Sequence, residues 1–123
     1  RLCFEHITTT QVVVSLANRR KVRNHIGGVH AAAMALLAET ATGFVVGMNV
    51  PDDKVPVIKT MEVDFQRRAV GALKAVASLQ AGQITLMQEQ DKGETIVSVV
   101  ITDESGQQPI QAEMLWAWVP KRR

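Results

Sequence analysis

The stretch "NHIGGVHAAAMALLAETATGFVVG", Asn24 to Gly47, opens on polar and glycine residues and then becomes a long apolar run. From Val29 to about Val46 it is rich in alanine and leucine, long enough for a helix of about five turns. It is apolar on nearly every face, so burial on most sides is expected. Between His30 and Asp52 the only ionisable side chain is Glu39. A carboxylate set into such a helix costs several kcal/mol unless it is hydrogen-bonded, paired or protonated. Glu39 is therefore either a structural acid that meets a buried donor or a general base.

Outward from the helix, the pattern changes. "TTTQVVVSLA" (Thr8–Ala17) is β-branched and reads as a strand, followed by a basic, glycine-ending loop over Asn18–Gly28. "NVPDDKVP" (Asn49–Pro56) carries the prolines and paired aspartates of a turn. In Lys59–Gln66, Met61, Val63 and Phe65 alternate with Glu62, Asp64 and Gln66, a period of two. Ala72–Leu79 puts Leu73, Ala75, Ala77 and Leu79 on one face, and Thr95–Thr102 is β-branched. Turns are expected at Gln90–Thr95 and Asp103–Pro109. The last strand, Ile110–Val119, aligns Ile110, Ala112, Met114, Trp116 and Trp118 on one side. The order is strand, long helix, then four strands joined as an antiparallel meander: α+β, with one sheet against one central helix. Such an arrangement leaves an open sheet edge and one uncovered side of the helix, and a second copy of the chain would cover both.

The 123 residues suit one domain spanning 1–123, and 46% hydrophobic with 21% charged residues is ordinary for a soluble globular protein. A single cysteine, Cys3, gives no internal disulfide framework, which favours a reducing compartment, the cytoplasm. The start "RLCFEH" lacks the apolar segment of a signal peptide. The mid-run Glu39 and the lack of flanking aromatic anchors argue against a membrane span. Net charge is +2, but the basic residues cluster in "NRRKVRNH" (Asn18–His25), "QRRA" (Gln66–Ala69) and the terminal "KRR". With no tyrosine and 4% aromatics, stacking platforms for nucleic acid are scarce. Small cationic clusters suit discrete phosphates better.

The spacing around Glu39 narrows the chemistry. His30 stands nine residues upstream and Asn24 six before that, with Gly27 and Gly28 between them. Peptide N–H groups at the start of the helix, near His30 and Ala31, sit at its positive end and suit a developing oxyanion. Yet nine helical residues separate His30 from Glu39 by roughly 13 Å. One chain cannot easily bring both to the same carbonyl. Across a two-fold dimer, Glu39 of one copy can face Asn24, His30 and Ala31 of the other.

Asn24, five residues, His30–Ala31, and an acid nine beyond the histidine in "LAE" resemble the hot-dog fold acyl-CoA thioesterases. The resemblance is to the phenylacetate-pathway and 4-hydroxybenzoyl-CoA type, with its N-x5-H-G-G pattern. "TMEVDFQRRAVG" (Thr60–Gly71) is similar to the family's strand after the helix, and the remaining strands follow in order. The resemblance implies hydrolysis of an acyl-CoA thioester by a homodimer, with a dimer of dimers as a further step. Glu39 would be general base or nucleophile. The Ala31 N–H would polarise the thioester oxygen, and Asn24 and His30 would position water, substrate or loop. Arg67 and Arg68, together with the Arg19–Arg23 cluster, would meet the phosphates of coenzyme A. No resident cofactor and no metal are implied, since coenzyme A enters as part of the substrate. Neither nucleic acid nor membrane is an expected partner. Two departures stand out: Ala31 replaces the family's glycine, and the serine or threonine that helps hold the water has three candidates, Thr40, Thr42 and Thr60.

Within the same fold, the R-specific hydratases carry D-x4-H, whereas Phe44 stands five residues after Glu39. The acyl-carrier dehydratases need a proline-bounded histidine loop that this chain lacks. A non-catalytic acyl-CoA-binding dimer uses the same pocket and is the main alternative. A purely structural dimerisation module accounts for the apolar helix but not for the Asn24–His30–Glu39 spacing.

Overall fold

In the computed structural model, residues 2–17 and 27–121 are described, with the side chains of 27–30 outside that description. The elements in order are β1 (Leu2–Ile7), β2 (Gln11–Leu16), α1 (Gly27–Asn49), β3 (Lys54–Phe65), β4 (Leu73–Ser78), α2 (Ala81–Glu89), β5 (Gly93–Thr102) and β6 (Ile110–Pro120). The six strands form one sheet in the order β1-β2-β4-β5-β6-β3, and every pairing is antiparallel. The sheet curves around α1.

The strands follow from their alternation. Val12, Val14 and Leu16 of β2 are buried, as are Leu73, Ala75 and Ala77 of β4. On β6, Ile110, Met114, Trp116 and Trp118 are buried on the side expected from sequence, with Ala112 packed against them. From α1 the sheet receives Met34, Leu37, Ala38, Ala41, Val45 and Val46. Each large side chain so enclosed is worth roughly 1.5–3 kcal/mol. This packing also explains the length and hydropathy of α1, whose segment Ala31–Asn49 would by composition suffice to cross a membrane.

The helix is not covered all round. Leu36, Phe44 and Met48 are exposed along its open side, as are Met61 and Phe65 on β3 beside it. On the register with β6, Met61 opposes Met114 and Phe65 opposes Ile110, so both point to the helix side of the sheet. Their exposure marks where the sheet stops wrapping.

Four expectations are corrected. The meander holds only for β4, β5 and β6, because β3 crosses over to pair with β6 and becomes an edge strand. Thr8–Thr10 is not the start of a strand but the turn between β1 and β2, closed by the Thr8 N–H to the Gln11 carbonyl at 2.8 Å. β1 itself was not anticipated, since all of its residues are exposed and no alternation marks it. Between β4 and β5 lies a helix, α2, whose start is a reciprocal capping box between Gln80 and Gln83. Its end is held by Lys54, a buried lysine whose Nζ donates to the Met87 and Gln88 carbonyls at 3.3 and 3.4 Å. A cation on the last carbonyls of a helix complements the dipole.

Candidate active site

Helix geometry places Glu39 at a boundary. One turn on, Gly43 lies on the same face, and Thr42 and Val46 on the adjoining row are fully buried. On the other side of Glu39, Ala32 and Leu36 face out. Glu39 is accordingly half-buried, not enclosed. Among the described residues its carboxylate has no ion-pair partner, and the two ion pairs, Lys59–Glu94 and Lys74–Glu5, lie elsewhere. The carboxylate is thus open to water on one side and backed by the core on the other.

Beneath Glu39 is a lock that sequence reasoning did not anticipate. Trp116 on β6 directs its indole Nε1–H to the Thr42 hydroxyl at 2.8 Å. That hydroxyl in turn donates to the Ala38 carbonyl at 2.8 Å. The rim of the indole lies against Gly43, where a Cβ would come within 2.9 Å of two ring carbons. The trace of this contact in the sequence is a glycine inside a helix, at a cost of roughly 1 kcal/mol against alanine. A helical glycine is tolerated where a bulky group must approach the backbone closely.

The three threonines differ in their surroundings. Thr42 is fully buried and its hydroxyl is engaged as both donor and acceptor. Thr60 is exposed on β3, next to the register shift that separates Ile58 from Thr60. Thr40 is half-buried and adjacent to Glu39 in sequence.

The other expected residues divide between the described parts of the chain and the rest. Asn24, His25 and Arg19–Arg23 lie outside the described residues, as does the His30 side chain. α1 begins at Gly27, two residues before the expected start, so the Ala31 N–H falls at the end of the first turn. The N–H groups with no intrahelical acceptor are those that precede it. Arg67 and Arg68 are exposed beyond the end of β3, with the Arg67 guanidinium donating to the Gln107 side chain of the β5–β6 turn. The backbone of this corner is tied to the same turn, the Arg67 N–H reaching the Pro109 carbonyl at 3.1 Å. His6 is exposed on β1 and Cys3 is a free, exposed thiol. Among the described residues no group of three His, Cys, Asp or Glu side chains is placed to hold a metal ion.

The fold recurs in solved structures. A protein of unknown function from Pseudomonas aeruginosa, PA5026, described as "Probable Thioesterase", is 26% identical over 98% of this chain and 83% of its own, with a TM-score of 0.84. The thioesterase HI1161 of Haemophilus influenzae is 13% identical over 97% and 78%, with a TM-score of 0.73. BH2602 of Bacillus halodurans, solved with CoA, is 22% identical over 87% and 66%, with a TM-score of 0.69. No curated protein matches the chain. The family described as "Domain of unknown function (DUF4442)" matches residues 1–119. With that match over nearly its whole length, and with a six-stranded antiparallel sheet curved around one long helix, the chain belongs to the DUF4442 family, in the hot-dog thioesterase superfamily.

Proposed function

We propose that the protein hydrolyses acyl-CoA thioesters, with Glu39 as the residue that activates water or attacks the thioester itself. The observation that carries this reading is the position of Glu39: one carboxylate, half-buried, in the middle of an otherwise apolar helix at the point where the sheet stops covering it. In the general-base route the carboxylate takes a proton from water, whose oxygen bonds to the thioester carbon. The carbon–sulfur bond then breaks and the proton passes to the departing thiolate, giving a carboxylic acid and coenzyme A. In the nucleophilic route Glu39 displaces the thiolate to form a mixed anhydride, which water cleaves. Donors at the start of α1 would hold the oxyanion, and since the helix begins at Gly27 these are the N–H groups preceding Ala31 and not the Ala31 N–H that the family resemblance assigns.

A homodimer fits this chemistry. Helix start and carboxylate are too far apart on one α1, as worked above. A second copy on the open side would bring its own Asn24, His30 and Ala31 to Glu39 and cover Leu36, Met61 and Phe65. Arg67 and Arg68 would meet the coenzyme A phosphates at the rim, and a cytoplasmic location accords with a soluble enzyme of this substrate class. The CoA bound in the BH2602 structure supports the ligand class.

The experiment is thiol release from a panel of acyl- and aryl-CoAs, with Glu39→Gln alongside. We expect the variant to lose about a hundredfold or more in kcat, in the range of general acid–base catalysis, while its melting temperature stays near the parent's. Equal rates in the two proteins would refute the role of Glu39. Absence of hydrolysis together with stabilisation by acyl-CoA would favour the non-catalytic binding dimer.

A further inference from the structure

We propose that the convex face of the sheet is an interface on which two copies of this chain pack back to back with their strands reversed. The inference does not rest on the thioesterase reading. The face lies on the opposite side of the sheet from α1 and its open side.

Alternation defines the surface. On β6, Met114, Trp116 and Trp118 are buried toward α1, so Glu113, Leu115, Ala117 and Val119 point away from it. Their cross-strand partners widen the surface. Ile96 on β5 opposes Leu115, while on β3 Val57 opposes Ala117 and Val55 opposes Val119. Ile96 is 50% exposed, and Val55, Val57 and Val119 are exposed as well. A sheet face that meets water is ordinarily polar at such positions. Here a strip of isoleucine and valine lies open.

Charge is divided along the same strands. Near the start of β6, Glu113 stands directly opposite Glu62 on the β3–β6 ladder. Like charges so placed destabilise a sheet. Asp64 lines the same open hollow as these two and Ile96, and among the described residues no cation pairs with any of the three carboxylates. Further along β6, Lys59 and Lys92 line a second hollow with Val57, Ala117 and Val119. Lys59 is held there by Glu94 at 2.7 Å. From Glu113 to Ala117 is about 13 Å along the strand. The face therefore passes from carboxylates through Ile96 and Leu115 to ammonium groups and valines.

Such an order is complementary to itself when reversed. A two-fold axis lying in the face, across the strands near Ile96 and Leu115, sets the acidic end of each copy over the basic end of the other. It also lays the apolar strips together and brings cations to the opposed Glu62 and Glu113. The contact is isologous and closes at two copies. A uniformly basic partner would be repelled by Lys59 and Lys92, and a wholly polar one would leave the apolar strip unmet. Joined to the dimer proposed above, this is the second contact that a dimer of dimers needs.

The test uses two charge-reversed forms of the full chain, Glu62→Lys/Glu113→Lys and Lys59→Glu/Lys92→Glu, in sedimentation equilibrium at low salt, about 0.05 M. All four side chains are exposed, so melting temperatures should stay near the parent's. Each variant alone sets like charges across the contact. Its Kd for this association should rise about a hundredfold or more, and the mass of the assembly should halve. Mixed in equal amounts, the two variants complement each other and the parent's mass should return. Ile96→Arg, at the apolar centre, should also halve the mass, and it decides alone if a charge variant does not fold. A monomeric parent, a mass that the variants leave unchanged, or a mixture that stays apart overturns the proposal. Leu36→Arg reads the open side of α1 separately: if it keeps the parent's mass, the dimer on that side falls, while the convex face stands on the charge variants.

Discussion

Replacing Thr42 by valine isolates the bond that fixes the indole. Valine keeps the β-branched shape, so the χ1 preference in the helix and the packing volume are retained, and only the hydroxyl is exchanged for a methyl. The hydroxyl's donation, shared between the Ala38 carbonyl and, at 3.3 Å, the Glu39 carbonyl, is lost together with its acceptance from Trp116, and the two losses differ in consequence. The Ala38 carbonyl, which receives the hydroxyl at 2.8 Å, still accepts the backbone N–H of residue 42 within the helix. The indole N–H of Trp116 has no such reserve. Its partner at 2.8 Å is the hydroxyl itself, in a buried contact, and Trp116 is only 8% exposed. Leaving a buried donor without an acceptor costs about 1–3 kcal/mol, and burying the extra methyl returns a fraction of it. We expect a net loss of about 2 kcal/mol. With an unfolding entropy of roughly 2.1 cal/mol/K per residue, 1 kcal/mol corresponds to about 4 °C for a chain of 123 residues, so Tm should fall by about 8 °C. Differential scanning calorimetry on Thr42→Val, Trp116→Phe and the double variant gives the test. Because the phenyl ring has no N–H to orphan, the second substitution should cancel most of the cost of the first. Additive losses in the double variant, or a Tm shift under about 2 °C in Thr42→Val, would refute the reasoning.

Other regions give independent tests. Lys54→Met keeps the aliphatic stem but withdraws the ammonium from the Met87 and Gln88 carbonyls, and the end of α2 should lose about 1–2 kcal/mol, read by urea titration. Gly71 has φ of +73° and its missing Cβ would run into the Glu104 carboxylate, which accepts the Ala72 N–H at 2.8 Å, so Gly71→Ala should lower Tm by several degrees. Asp103 is buried, which pushes its carboxyl up, but the Ser105 hydroxyl and the N–H groups of Val70, Gln107 and Ser105 outweigh that and hold it below the ordinary value. A depressed folded-state value means stability fully present above the unfolded pKa of about 3.9 and lost as pH falls through the folded one. Asp103→Asn should therefore lower Tm at pH 7 and flatten the acid end of the stability curve, measured by thermal melts in graded buffers.

The sequence carried the central helix and the strands that bury an alternating face, because burial is what period and composition report. β4 and β6 lie within a residue or two of the expected spans, with the expected side chains inward. The crossover of β3 to the far edge was hidden. Lys59–Gln66 alternates as any half-buried strand does, and nothing in its own residues distinguishes pairing with β4 from pairing with β6. α2 was hidden for a different reason: "AGQITLMQE" buries only Met87 fully, so it carries hardly any amphipathic signal. Its start depends on the exchange between Gln80 and Gln83, and its end on Lys54, which is more than thirty residues away in sequence. Glu39 was legible because one charge in an apolar run is conspicuous. Trp116 was legible only as a core residue, and its relation to Glu39 passes through Gly43, where the informative feature is an absent side chain.

That relation bears on why a carboxylate is tolerated in α1 at all. The helix must be apolar to fill the curve of the sheet, and a fully enclosed glutamate would cost several kcal/mol. At position 39 the cost is reduced because the sheet stops there: Leu36 is 54% exposed on one side of it, while Thr42 on the other side is fully buried. The same termination exposes Met61 and Phe65 on β3. A covering partner that took water away from this side without offering donors would restore the full desolvation cost of Glu39. A partner whose own helix start faces it offers N–H groups and the positive end of a dipole, which lower that cost. On the proposed function, dimerisation and catalysis would impose the same requirement on this surface. It follows that Glu39→Leu should leave the dimer intact or tighten it while abolishing thiol release, as sedimentation equilibrium and the thioester assay together can show. A variant that falls apart into monomers would mean that Glu39 itself holds the interface, against this reasoning.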